Sequence, residues 1–122
     1  MSEIEVKESI ALEDGLYEGQ IEKVEERTTP QSYVYVDIFI KLNKYDISLK
    51  YGCPKSGATE SKLMKTLAKF TEIKAGMKVD PVKILTGRDV IIVTEKDKKG
   101  DKEYTNIISL KPKKIETEQV QG

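Results

Sequence analysis

The sequence predicts a mainly β domain: five short strands curled into a Greek-key barrel, with one helix between the third and fourth strands. Three observations carry the prediction. Ile, Val and Leu alternate with other residues in several separate stretches. Extended helical spacing occurs once, over 60–75. The first stretch changes the parity of its apolar residues partway along, as a strand does when it bends to serve two partners.

The elements follow in order. Gly15 to Ile21 alternates, but Ile21 and Val24 differ in parity, which implies a bulge or sharp bend near Gly19. Thr28-Thr29-Pro30-Gln31-Ser32 reads as a turn. Tyr33 to Leu42 is the clearest strand: Val34, Val36, Ile38, Ile40 and Leu42 share the core face, and Tyr33, Tyr35, Asp37, Phe39 and Lys41 share the other. After a turn at Asn43-Lys44, Tyr45 to Tyr51 alternates again, with Ile47, Leu49 and Tyr51 inward and Asp46, Ser48 and Lys50 outward. Leu63, Leu67 and Phe70, with Met64, Ala68 and Ile73, then predict a helix over 60–75 capped by Thr59 or Ser61 and stopped by Gly76. Asp80-Pro81 opens a further short helical turn ending by Gly87. Arg88 to Glu95 and Glu103 to Leu110 are the last two strands, joined by a long charged loop, Lys96 to Lys102.

Five strands with a helix between the third and fourth is the order of the OB-fold, a partly open Greek-key barrel. The domain is expected over 15–111, with 1–14 as an N-terminal extension or edge strand (Ile4, Val6, Ile10, Leu12) and 112–122 as a flexible tail.

Composition narrows the function. The 122 residues suffice for one core. No apolar run approaches membrane-spanning length, and the start, Met1-Ser2-Glu3-Ile4-Glu5, is acidic where a signal peptide is basic, so a cytoplasmic protein without a membrane partner is expected. Histidine is absent and Cys53 is the single cysteine, which removes the commonest general base, disulfides and cysteine-cluster metal sites. The expectation is a non-enzyme with no metal and no cofactor. Net charge is zero, but residues 1–26 hold nine acids against two bases, whereas 41–114 hold 18 Lys/Arg against 9 Asp/Glu. Such asymmetry hints at a polyanionic partner, against the competing reading of a merely solvated surface.

The motifs divide clearly. Gly52-Cys53-Pro54-Lys55-Ser56-Gly57-Ala58-Thr59 matches a phosphate loop except at Ala58, where the lysine that reaches the β- and γ-phosphates belongs. Nucleotide hydrolysis is therefore set aside, and only a single backbone phosphate on Lys55, Ser56 and the helix start remains conceivable. Cys53, between Lys50 and Lys55, lacks a histidine partner and reads as a small buried hydrophobe. Lysines interrupt the carboxylates of 97–101, which defeats a calcium loop.

What remains is the outward row Tyr33, Tyr35 and Phe39, flanked by Lys41 and Lys50 and bordered by the loops at 27–32 and 96–102. Single-stranded nucleic acid stacks its bare bases on rings while amines neutralise its phosphates. The predicted contacts are Tyr33, Tyr35 and Phe39 for stacking, and Lys41, Lys50, Lys98, Lys99, Lys102 and Arg27 for phosphate. The competing reading is that the rings cover a homodimer interface or dock a protein partner.

Gly15 to Glu25, the helix followed by Asp80-Pro81, and Leu85-Thr86-Gly87-Arg88-Asp89-Val90 leading to Lys102-Glu103-Tyr104-Thr105-Asn106-Ile107 resemble small virus-, phage- and plasmid-encoded OB-type proteins. The resemblance covers roughly 15–110 and implies single-stranded-DNA binding or a replication-accessory role, with no catalytic signature. Single-stranded DNA, or RNA, and a second copy of the chain are thus the expected partners, the second through an apolar patch on the fourth strand formed by Ile91 and Val93 or by Val90 and Ile92, joined by Ile107.

Overall fold

The computed structural model describes residues 12–113. Five strands and two short helices follow in the order β1 (Gly15–Thr28), β2 (Val34–Leu42), β3 (Ser48–Pro54), α1 (Lys62–Leu67), α2 (Pro81–Leu85), β4 (Asp89–Lys99) and β5 (Lys102–Pro112). The strands form one antiparallel sheet in the order β3-β2-β1-β4-β5.

β1 is long because it serves two neighbours. Its first part pairs with β4, from Gly15 opposite Thr94 to Gln20 opposite Asp89, and the remainder pairs with β2, from Gly19 opposite Leu42 to Thr28 opposite Val34. The expected irregularity is a bulge between Ile21 and Lys23, which places both Ile21 and Val24 in the core. Gly19 has a different task from the one expected of it. A Cβ there would stand 2.7 Å from the Lys41 carbonyl oxygen and 2.8 Å from Ile40 Cγ2, so glycine permits the close approach of β2 where both neighbours begin to share β1.

The inward face of β2 holds from Val36 onward, whereas Val34, at the start of the strand, is only half-buried and outside the core. Val36, Ile38, Ile40 and Leu42 are buried against Ile21 and Val24 of β1, Val90 and Ile92 of β4, Leu110 of β5, and Leu63, Met64, Leu67 and Leu85 from the helices. Each such side chain contributes on the order of 1.5–3 kcal/mol through burial. On β4, Val90 and Ile92 face the core and Ile91 and Val93 face out. A bulge between Val93 and Thr94 sets Ile107 opposite Thr94, packed half-buried on the core, and leaves Ile108 outside, so the isoleucine exposed on β5 is Ile108 and not Ile107.

Four expectations are corrected. The sheet does not close by hydrogen bonding: β3 and β5 are its edges, and they approach each other without pairing. Lysines fill the seam instead, with Lys62 Nζ donating to the Gly52 carbonyl at 2.8 Å and Lys69 Nζ donating to the Leu110 carbonyl at 3.0 Å. The helix over 60–75 is only six residues long, Lys62–Leu67, capped by the Ser61 hydroxyl, which accepts from the Met64 N–H. Tight turns then carry Phe70 and Ile73 onto the core without further helix, because that contact needs their apolar spacing and not continuous helical hydrogen bonds. β3 starts at Ser48 and not at Tyr45: the Leu42 N–H donates to the Ile47 carbonyl across a wider turn, Lys41 pairs with Asp46, and Tyr45 instead meets the Tyr17 ring edge-on at 5.8 Å. Last, the charged loop 96–102 is strand up to a two-residue turn, Gly100-Asp101, where Gly100 at φ 62° supplies the left-handed conformation that tight hairpins demand.

α2 begins as expected, with the Asp80 carboxylate accepting from the Val82 N–H and Pro81 in the first turn. Ahead of β1, Leu12 is buried and its N–H donates to Thr105 Oγ1 at 2.8 Å. The rest of the expected edge segment, with Ile4, Val6 and Ile10, and the tail from 114 lie outside the described residues. Among the described residues no helix is long and apolar enough to cross a membrane.

Candidate functional site

Strand register builds the site. With β2 inward at its even positions, its odd positions face out between those of β1 and β3, and three rows cross the sheet: Lys23, Phe39 and Lys50; Glu25, Asp37 and Gly52; Arg27, Tyr35 and Pro54. The structure therefore brings Tyr35, Phe39, Lys50 and Arg27 onto one face.

That face is more ordered than alternation alone suggests. Asp37 is only 3% exposed although it points away from the core. Arg27 covers it, Nε donating to Oδ2 at 2.7 Å and Nη2 to Oδ1 at 3.4 Å. The same guanidinium lies 4.8 Å from the centroid of the Tyr35 ring, and Lys23 Nζ lies 4.7 Å from that of Phe39. The hydrogen bond to Asp37 raises the Arg27 pKa further above its ordinary value, and the bond to Glu25, 2.9 Å away, does the same for Lys23. Opposite Asp37 the fit is close: a Cβ on Gly52 would lie 3.0 Å from Asp37 Oδ1. The carboxylate organises the face by fixing Arg27 over Tyr35.

Arg27 and Lys41 share this face but are already paired, and the remaining predicted residues fall elsewhere. Arg27 belongs to β1, not to the loop before β2, and its charge is matched by Asp37. Tyr33 lies in the turn before β2, 66% exposed, with its N–H donating to Thr29 Oγ1 at 3.1 Å. Lys41, near the end of β2, pairs with Asp46. Lys98, Lys99 and Lys102 are exposed at the tip of the ribbon that β4 and β5 form beyond Thr94. Along β1, Arg27 stands twelve positions from Gly15, the partner of Thr94. Even Lys23, at the near end of the ring row, stands eight positions from Gly15, and the ribbon tip lies beyond Thr94, so the row and the tip belong to opposite ends of β1.

The loop that resembles a phosphate cradle is occupied by its own groups. Lys55 pairs with Glu26, the Ser56 hydroxyl accepts from the Ala58 N–H at 3.2 Å, and the Ser56 carbonyl accepts from the Ser61 hydroxyl. Cys53 is fully buried, and burial pushes its thiol pKa up, the reverse of what a nucleophile needs. Beside this loop a cleft of about 480 Å³ has a floor of Val24, Val36, Leu63 and Met64 and a rim that includes Glu25, Glu26 and Asp80.

Two further groups were not singled out from the sequence. Lys23, on the strand beside Phe39, becomes visible only once the bulge sets the register. Around Tyr51, the residues Lys62, Lys65, Lys69, Thr66 and Glu60 line a hollow of about 380 Å³, with Lys62 Nζ 4.3 Å from the ring centroid. Helical spacing of the three lysines was a usable signal, but the neighbouring edge of β3 was not.

Compared with protein-family models and with curated proteins, the chain matches none.

Proposed function

We propose that the chain is a non-enzymatic binder of single-stranded DNA, or of RNA, with little sequence preference, acting in the handling of replicating or recombining DNA of a virus or plasmid. The observation that carries this reading is the row of Tyr35 and Phe39 on an outer sheet face, beside Lys23 and Arg27 on one flank and Lys50 on the other. Bases stack on such rings irrespective of identity, and the guanidinium and ammonium groups over the rings add cation–π contacts. Sharing of β1 between β2 and β4, with helices between β3 and β4 in the chain, supports an OB-type barrel whose β3/β5 seam is bridged by side chains. Lys98, Lys99 and Lys102 provide a second, separate set of phosphate contacts.

A second reading is favoured by one observation. Leu16 is 68% exposed on the outer face, next to Ile91 and Val93, and Ile108 is exposed close by on β5. This apolar group suits a homodimer.

Titration of a labelled oligothymidylate at low salt decides between them. Tyr35→Ala is expected to cost about 1–3 kcal/mol of single-strand affinity with the fold intact. If wild-type protein ignores the strand and sediments as a dimer that Leu16→Glu returns to monomer, the interface reading replaces the nucleic-acid one.

A further inference from the structure

We propose that the phosphate backbone of a bound single strand crosses the edge of β3 and lies over α1, held by Lys50, Lys62, Lys65 and Lys69. The proposal rests on the single-strand reading of the ring row and assigns the flank that this reading leaves open.

Bases stacked on Tyr35 and Phe39 leave the sugar-phosphate chain on one side of the row. The β1 side is poorly suited. Lys23 is bonded to Glu25 and Arg27 to Asp37, while the Glu22 carboxylate, accepting from the Ser48 hydroxyl at 2.8 Å, lies exposed on the same strand. A polyanion approaching there meets two surface carboxylates and two cations already engaged by acids.

The β3 side is the opposite case. Lys50 is exposed directly across from Phe39, and β3 is an edge strand one strand spacing, about 4.8 Å, from the ring row. Immediately past that edge stands Lys62, followed on the same side by Lys65 and Lys69, so that three ammonium groups surround Tyr51 with Glu60 the single carboxylate lining the hollow. An ammonium has three N–H donors. The bonds from Lys62 to Gly52 and from Lys69 to Leu110 therefore hold the amines in place at the seam while leaving donors for phosphate oxygens.

The test is the salt dependence of binding by the full chain to a labelled oligothymidylate of about 15 nucleotides, near the upper site size of one such domain. The double variant Lys65→Gln/Lys69→Gln is expected to lower the log–log salt slope by about 1.4, or about 0.7 per lost contact, which is about fivefold in affinity per lysine near 0.1 M salt. Lys74→Gln, whose amine is 3.1 Å from Glu72, is the control and is expected to leave the slope unchanged. An unchanged slope in the double variant, or an equal loss in the control, overturns the proposal while the ring-row reading stands. A wild-type chain that does not bind overturns that reading and this proposal with it. Should loss of the Lys69 bond to Leu110 lower the melting temperature of the double variant, Lys65→Gln alone, with about half the slope change, carries the same test.

Discussion

The outer face of β1, β2 and β3 and the β4–β5 ribbon both set tyrosine among lysines, but they treat charge differently. On the three-strand face Arg27 and Lys23 are tied to acids and to rings, and a carboxylate, Asp37, is buried at the centre. On the ribbon Lys98, Lys99, Lys102 and Tyr104 stand exposed, and the supporting contacts gather at its base, where Lys96 meets Glu13 and Asp14. The first region is organised before any ligand arrives. On the second the lysines project from a paired ribbon, with Asp97 and Asn106 bonded along it.

Removing the organising carboxylate is the strongest way to break this contrast. Asp37→Ala leaves the Arg27 guanidinium to water and strips a buried charge-assisted bond, and a loss of about 1–3 kcal/mol is expected. Asp97, which accepts from Asn106 on the exposed ribbon, is the matched case, and Asp97→Ala is expected to stay within about 0.5 kcal/mol. Thermal melts of the two variants check the pair, and equal losses would mean that the three-strand face is no better organised than the ribbon.

Strand length sharpens the contrast next. Because the ring row and the ribbon tip lie at opposite ends of β1, Lys98→Gln/Lys99→Gln is expected to lower the salt slope by about 1.4 for an oligonucleotide of about 16 bases and to leave one of about 5 bases unaffected. Loss of slope with both lengths would place the lysine tip over the ring row.

The smallest effect concerns pH. Burial raises the pKa of the Cys53 thiol and of the Tyr51 phenol, both on β3. The folded state favours their neutral forms, so this contribution is full below the unfolded cysteine value, about 8.5, and declines as pH rises through the folded values. Melting temperature should fall from about pH 8.5 upward, and Cys53→Ala should remove the earliest part of the fall. A flat profile would contradict the burial of these two groups.

Legibility from the sequence followed the same division. The core face of β2 was readable because Val36, Ile38, Ile40 and Leu42 obey one period, and the bulge in β1 because Ile21 and Val24 break it. The rings on the opposite face followed at once. Their surroundings did not, since Lys23 over Phe39 and Arg27 on Asp37 depend on inter-strand register, which a period within one strand does not contain. The charged stretch around Gly100 was misread for a local reason. Lysine and aspartate disfavour strands, but pairing with β5 over the whole run from Val90 to Lys99 outweighs that preference. The open seam was illegible because the contacts there, Lys62 to the Gly52 carbonyl and Lys69 to the Leu110 carbonyl, depend on how the two edge strands are brought together.

The bulge at Glu22 also separates curvature from side-chain orientation. Upstream of it β1 is shared by β4 and β2, and downstream it pairs with β2 alone, so one unpaired residue marks where the strand leaves its second neighbour. Deleting that residue sets Lys23 directly after Ile21, which keeps Lys23 outward and Val24 inward, so the change removes the bend and not the orientation of the side chains. At Gly100-Asp101 an added or lost residue alters only the length of a free tip. A deletion at Glu22 therefore changes the curvature of β1 while leaving its faces as they are, and one at the ribbon tip changes neither.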